Sequence, residues 1–204
     1  VFRGRNMDEF DKLMSFLGLE NIPQYETYRE LATHRRLRKN EEFYNDDEER
    51  SRYIYFLLSG VLRGYVIEKS GRDITDCFIF RYGQAHIGFL NVGMVEFPAE
   101  RAEALTETEL MCFDIDMLMP RINDSPELTQ LYIRKLTESY AEHWIHKNML
   151  CRASAMERYQ WFLEAYPGLI DTIPHKHIAS FLDMTPVTLS RLRRSAHIKD
   201  ALLE

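Results

Sequence analysis

The chain is 204 residues long, 45% hydrophobic and 28% charged, with a formal net charge of -6. That balance suits a folded protein with one large core or two smaller ones and argues against disorder, while the acidic total excludes general adhesion to nucleic acid, so any phosphate contact must be confined to a local basic patch. The longest apolar runs, such as Tyr53 to Leu58, fall far short of the roughly 20 residues a membrane span needs, and no signal peptide opens the chain, so a cytoplasmic protein without membrane contact is expected.

In chain order, Asp8 is an N-cap candidate for a short helix with Phe10, Leu13, Met14 and Leu17 on one face and Gly18 as its stop. A second helix is expected over about Gln24 to Thr33. The signals then change to short strands and tight turns. Arg36-Leu37-Arg38 meets Lys39-Asn40-Glu41, Tyr53 to Leu58 meets Ser59-Gly60, Val61 to Ile67 meets Lys69-Ser70-Gly71-Arg72, and Ile74 to Phe80 meets Tyr82-Gly83. This spacing predicts a β-sandwich or barrel-like roll. The acidic run Asp46 to Glu49 reads as a solvated turn. Three scattered cysteines, Cys77, Cys112 and Cys151, suggest neither a disulfide framework nor a Cys-x-x-Cys site.

The strand zone closes near Asp114 to Asp116, and Pro120, Asp124, Ser125 and Pro126 announce a new helix. Leu128, Tyr132, Leu136, Tyr140 and Trp144 follow at i+4 steps, and no Gly or Pro interrupts the run from Pro126 to Cys151. Such a helix would be about 40 Å long at about 1.5 Å per residue. Its stripe either packs on the chain's own roll or, as expected here, pairs with a second copy in a coiled-coil-like homodimer. From Ser154 onward short helices alternate with breaks at Pro167-Gly168 and Pro174. The chain therefore divides into 1–125, 126–151 and 152–204.

The most informative stretch is His177 to Ile198, HIASFLDMTPVTLSRLRRSAHI. Ile178, Ala179 and Leu182 share one helical face, Asp183 sits where the chain must turn, and Met184 follows as an apolar plug. Thr185 then caps a second helix with Pro186 at its first position, and Leu189 and Leu192 point inward. A plain αα-hairpin shows the same inward pattern, but the second helix carries Arg191, Arg193, Arg194 and Lys199 with no acid from Met184 to Lys199. That favours a helix-turn-helix whose second helix enters a DNA major groove. Val187, Thr188, Ser190, Arg191 and Arg194 are left facing outward. Hydroxyls suit phosphates, Arg191 can grip guanine through two hydrogen bonds, and Val187 suits a thymine methyl.

Ile178-Ala179-Ser180-Phe181-Leu182-Asp183 followed by Thr185-Pro186-Val187-Thr188-Leu189-Ser190-Arg191 resembles the C-terminal domain of the Crp/Fnr superfamily. Tyr55 to Arg63 looks like that family's strand-Gly-strand signature, Ser70-Gly71-Arg72 like its hairpin turn, and Arg81 to Gly88 like the start of its effector cassette. The resemblance spans nearly the whole chain. It implies an α+β fold with a cyclic-nucleotide-binding-like, jelly-roll-like β-roll, a long dimerisation helix and an all-α helix-turn-helix domain. It also implies a homodimeric regulator on a palindromic double-stranded operator, with base readers at Pro186, Val187 and Arg191 and with Thr185 and Thr188 toward phosphates, a small-molecule effector, and RNA polymerase as a further candidate partner.

Several positions depart from the family pattern. Pro186 cannot stand in for a long polar reader, so a different operator is expected; Asp183 replaces the usual turn glycine; and the chain reads as a short, wingless branch. In the cassette, Gly88 is followed by Phe89 rather than Glu, and Arg101 by Ala102 rather than a hydroxyl residue, so cyclic AMP is not the expected effector. Tyr82, Gly83, Gly88, Phe89 and Arg101 remain the candidate effector pocket, with an ion pair to Glu100 or Glu103 as the alternative for Arg101. The region before Cys77 has no cysteine for an iron-sulfur cluster, and His34, His86, His143 and His146 leave haem open; no cofactor or metal is identified. Two further readings are a cupin-like metalloenzyme and a regulator acting only through protein contacts. A cupin needs clustered His and Glu where His86 stands alone, neither a phosphate-binding Gly-Lys-Ser/Thr loop nor a Gly-x-Ser-x-Gly turn is present, and an intact basic helix argues against the second. No enzyme activity is expected.

Overall fold

The computed structural model describes residues 8–43, 53–87 and 101–200, with the side chains of 196–200 left aside. The first helix, α1 (Glu9–Leu17), opens as expected: the Asp8 carboxylate accepts from the Asp11 N–H at 2.9 Å, and Gly18 closes it in the left-handed conformation. After α2 (Tyr25–Leu31) come β1 (Ala32–Leu37), β2 (Tyr53–Ser59), β3 (Leu62–Ile67), β4 (Asp73–Ile79), β5 (Ala85–Ile87), β6 (Arg101–Ala104) and β7 (Thr108–Asp114). They form two antiparallel sheets in the orders β1-β7-β2-β5 and β4-β3-β6. The acidic run Asp46 to Glu49 lies outside the described residues.

Apolar packing occurs in three layers. Between the sheets lie Phe43, Tyr55, Leu57, Leu62, Leu110 and Cys112. On the outer face of the four-stranded sheet, Ile54, Phe56 and Phe113 meet α1 and the helices that follow the roll. β2 is therefore covered on both faces, which is why Ile54 to Leu58 reads as a continuous apolar run rather than an alternation. Gly60 makes the sharp passage from β2 to β3 at φ +90°, where a Cβ would stand 2.3 Å from the Glu107 carbonyl oxygen, so no other residue fits.

The strand zone ends at Asp114, and a helix not expected from the sequence, α3 (Ile115–Asp124), precedes the long one. Asp114 caps it, and Pro120 lies inside rather than at a boundary. Its apolar residues Ile115, Leu118 and Ile122 are held against the roll, and that packing outweighs the proline's missing hydrogen bond. The long helix, α4 (Pro126–Arg152), starts at a Ser125 cap with Pro126 in its first turn. Then come α5 (Ala155–Ala165), opened by a Ser154–Glu157 capping box, α6 (Leu169–Thr172), α7 (His175–Phe181) and α8 (Pro186–Asp200).

The C-terminal helices do not close a core by themselves. Phe78 of β4, with Val61 just before β3 and Leu105 just after β6, shares one cluster with Tyr159, Phe162, Ile178, Phe181 and Leu189. The helical segment is thus seated on the roll.

Candidate nucleic-acid interface

α7 ends through the turn that the sequence marks. The Met184 N–H donates to the Ala179 carbonyl at 2.9 Å, and Asp183 takes φ +47°, a conformation Asp adopts more readily than most non-glycine residues. Ile178, Ala179, Leu182 and Leu189 are buried, and Met184 and Leu192 pack beside them. The inward face of the helix pair is thus complete.

α8 begins at Thr185, whose hydroxyl accepts from the Thr188 N–H at 3.1 Å and lies 2.9 Å from the Thr188 hydroxyl. One hydroxyl proton of the pair is spent between them, leaving one to offer a phosphate. Replacing Thr185 with alanine is expected to cost about 1 kcal/mol of stability through the lost cap, read as a lowered thermal midpoint; an unchanged midpoint would show that the cap contributes nothing.

The outward positions stay outward. Thr185, Pro186, Val187 (60% exposed), Ser190, Arg191 and Arg194 are exposed, and Thr188 is half-buried. Arg193 differs: its guanidinium lies 2.8 Å from Asp171 and 3.1 Å from His175, so this cation braces α6 and α7 against α8 instead of adding to the basic face. A sequence count of cations could not distinguish it from its neighbours, because only the fold brings Asp171 to it.

The long helix corrects part of the expected pairing face. Leu128 is 7% exposed in the core of its own chain, and Tyr132 packs partly against that core, so neither heads a free stripe. At about 100° per residue, i+4 steps overshoot a full turn by about 40°, so a Leu128 to Trp144 series winds by about 160°. Leu136, Tyr140 (69% exposed) and Trp144 emerge, joined by Ile133, which the i+4 reading missed. These four fall within about 80° of one another, and the Tyr140 and Trp144 rings stack 6.5 Å apart.

Of the candidate effector residues, Tyr82, Gly83 and Arg101 are described, and they meet different partners. The tight turn at Gly83 lets the Phe16 ring approach so closely that a Cβ would meet it at 2.3 Å, and Tyr82 packs edge-on against the same ring at 5.1 Å. Both therefore face α1. Arg101 lies in the other sheet, 3.4 Å from Glu42, a carboxylate that already answers its charge and that also accepts from the Tyr65 hydroxyl. Its partner is Glu42 rather than Glu103, whose carboxylate pairs with Arg63. Gly88, Phe89 and Glu100 lie outside the described residues. Of the histidines, His34 meets Glu109 at 3.0 Å, His143 meets Asp76 at 3.1 Å, His146 donates to the Phe181 carbonyl at 2.7 Å, and His86 stacks on Tyr55. No described helix is long and apolar enough to cross a membrane.

Neither protein-family models nor curated proteins match the chain at the level of sequence. Solved structures do match. FixK2 from Bradyrhizobium japonicum is 23% identical with a TM-score of 0.69, the match covering 83% of this chain and 86% of that one. A protein assigned as a Crp/Fnr-family transcriptional regulator from Eubacterium rectale is 17% identical with a TM-score of 0.70, covering 94% and 89%. The chain has the Crp/Fnr fold. The global regulator CLP of Xanthomonas campestris, described as responsive to c-di-GMP, is similar too, 11% identical with a TM-score of 0.66 over 86% of this chain and 91% of that one. In this Crp/Fnr-like frame the sheets form the β-roll, α4 is the long helix, and α7 and α8 are the C-terminal helix pair.

Proposed function

We propose that the protein is a homodimeric, sequence-specific DNA-binding transcriptional regulator. Residues 1–125 form the sensor, 126–151 the dimerisation helix and 152–204 the DNA-binding segment. The observation that carries this reading is the outer face of α8, where Val187, Ser190, Arg191 and Arg194 stand exposed beyond a threonine-capped start, with no acidic side chain on that helix before Asp200. Val187 and Arg191 read base edges, Pro186 packs against them, and Thr185, Thr188, Ser190 and Arg194 position the backbone. Two copies joined through α4 set half-sites about 34 Å apart on a palindrome. A signal acts by favouring one arrangement of roll and long helix over another, which requires different affinity for the two.

The test is selection of tight binders from a random duplex pool at near-physiological salt, with the Arg191→Ala variant in parallel. The wild type should enrich a two-fold symmetric site. On that site Arg191→Ala should lose roughly 1 to 3 kcal/mol, with much less effect on random DNA. Equal loss on both would contradict base reading by Arg191, and enrichment by neither protein would mean that binding requires an effector absent from the assay or that the helix pair is only a helix pair.

A further inference from the structure

The seat of α7 on the roll is not purely apolar. Arg63 of β3 is 1% exposed: Nε lies 2.8 Å from Glu103 of β6, Nη2 donates to Asp73 of β4 at 3.0 Å, and Nη1 donates to the Thr75 hydroxyl at 3.0 Å. His177 of α7 closes over this cluster, 5% exposed. Its Nε2 is 3.8 Å from the Glu103 carboxylate, beyond hydrogen-bond reach, and its Nδ1 is buried with no hydrogen-bond partner among the described residues. One turn on, the Ser180 hydroxyl accepts from the Thr75 N–H at 3.0 Å and donates to the Asp73 carbonyl at 3.3 Å. From the other side, His146 of α4 holds the Phe181 carbonyl at 2.7 Å.

We propose that this contact is a proton-sensitive latch: the first helix of the helix-turn-helix docks on strand β4 only with His177 neutral, so acidification favours an undocked state in which the helix pair can reorient. A second ring proton would place an N–H donor in a dry interface without an acceptor. The charged groups facing the ring are Arg63, Asp73 and Glu103 from three strands and Lys176 from its own helix. Glu103 does little to favour a charged ring because it lies 1 Å nearer to Arg63. Burial first, then Arg63 and Lys176, hold the His177 pKa down at about 4, with Asp73 opposing them. Burial lowers His146 as well, against the Phe181 carbonyl and Asp76, so it acts in the same direction.

The sign follows from linkage. A histidine whose pKa is lower docked than free stabilises the docked state fully above its free value, about 6.5, and loses that contribution as pH falls toward the docked value. For His177 alone, the opening equilibrium should grow about tenfold between about pH 7.5 and about pH 5.5. Because Phe78 also packs against Phe162, Tyr166 and Phe181, release is a local opening that amide exchange can read.

The experiment is amide hydrogen exchange of the full chain at both pH values, corrected for intrinsic rates and read at Thr75. About tenfold less protection at the lower pH is expected for the wild type. His177→Gln should change by less than about threefold, the remainder coming from His146, and His177→Leu, lacking both ring nitrogens, should give the same reduced dependence. Amides paired between β2 and β7 should hold in all three. An equal loss in the variants, no loss in the wild type, or a loss spread evenly over the roll would each overturn the latch. The readout needs no DNA, so its failure would leave the DNA-binding proposal standing.

Discussion

Leu136→Glu combined with Tyr140→Glu should make the protein a monomer by analytical ultracentrifugation and lower its affinity for a selected palindromic site by at least about a hundredfold. Ile133, Leu136, Tyr140 and Trp144 form an exposed apolar arc on α4 beyond the segment its own roll covers. Fully burying a large apolar side chain contributes about 1.5–3 kcal/mol, and a two-fold axis along this helix would use each position twice. Four introduced carboxylates would remove that contribution and add like-charge repulsion across the axis. Each subunit would then hold a single half-site and lose the effective concentration the dimer supplies. A dimer that persists would show that the long helix is not the interface.

Phe162→Ala should cost about 3–5 kcal/mol. Phe162 is fully buried, stacked on Tyr166 at 5.1 Å and edge-on to Phe78 at 6.2 Å and Phe181 at 6.1 Å. The side chain sits among residues that belong to both halves of the chain, so the cavity cannot close by moving one helix alone. The thermal midpoint should fall by roughly 10 °C or more. Roll and helical segment should lose structure together, because Phe78 belongs to the strands and its ring partners to the helices. A fall confined to the helical signal would mean that the two regions are stabilised independently.

The helix pair was legible because its signals are local. Thr185 as cap, Pro186 at the first helical position and Asp183 at the turn depend on backbone geometry within four residues, and all three occupy those roles. Gly18, Gly60 and Gly71 likewise mark turns that need positive φ. The i+4 stripe on α4 was legible only in part, since a side-chain series at that spacing winds around the helix, and its winding decides that Leu128 faces the roll while Tyr140 does not. α3 was missed because Pro120 reads as a helix boundary, and only the apolar seat offered by the roll reveals why it is tolerated.

Caps, turns and apolar periodicity act over a few residues, so the succession of short strands, long helix and capped helix pair, and the outward face of Arg191 and Arg194, follow from local sequence. Packing between distant segments is what pairs Arg193 with Asp171 and Arg101 with Glu42, and what makes Arg63, Asp73, Glu103 and His177 converge. Those groups come from distant segments whose side chains meet only when sheets and helices pack. Burial then turns an ordinary histidine into one that resists a proton, since removing water raises the free energy of its charged form above that of the neutral ring.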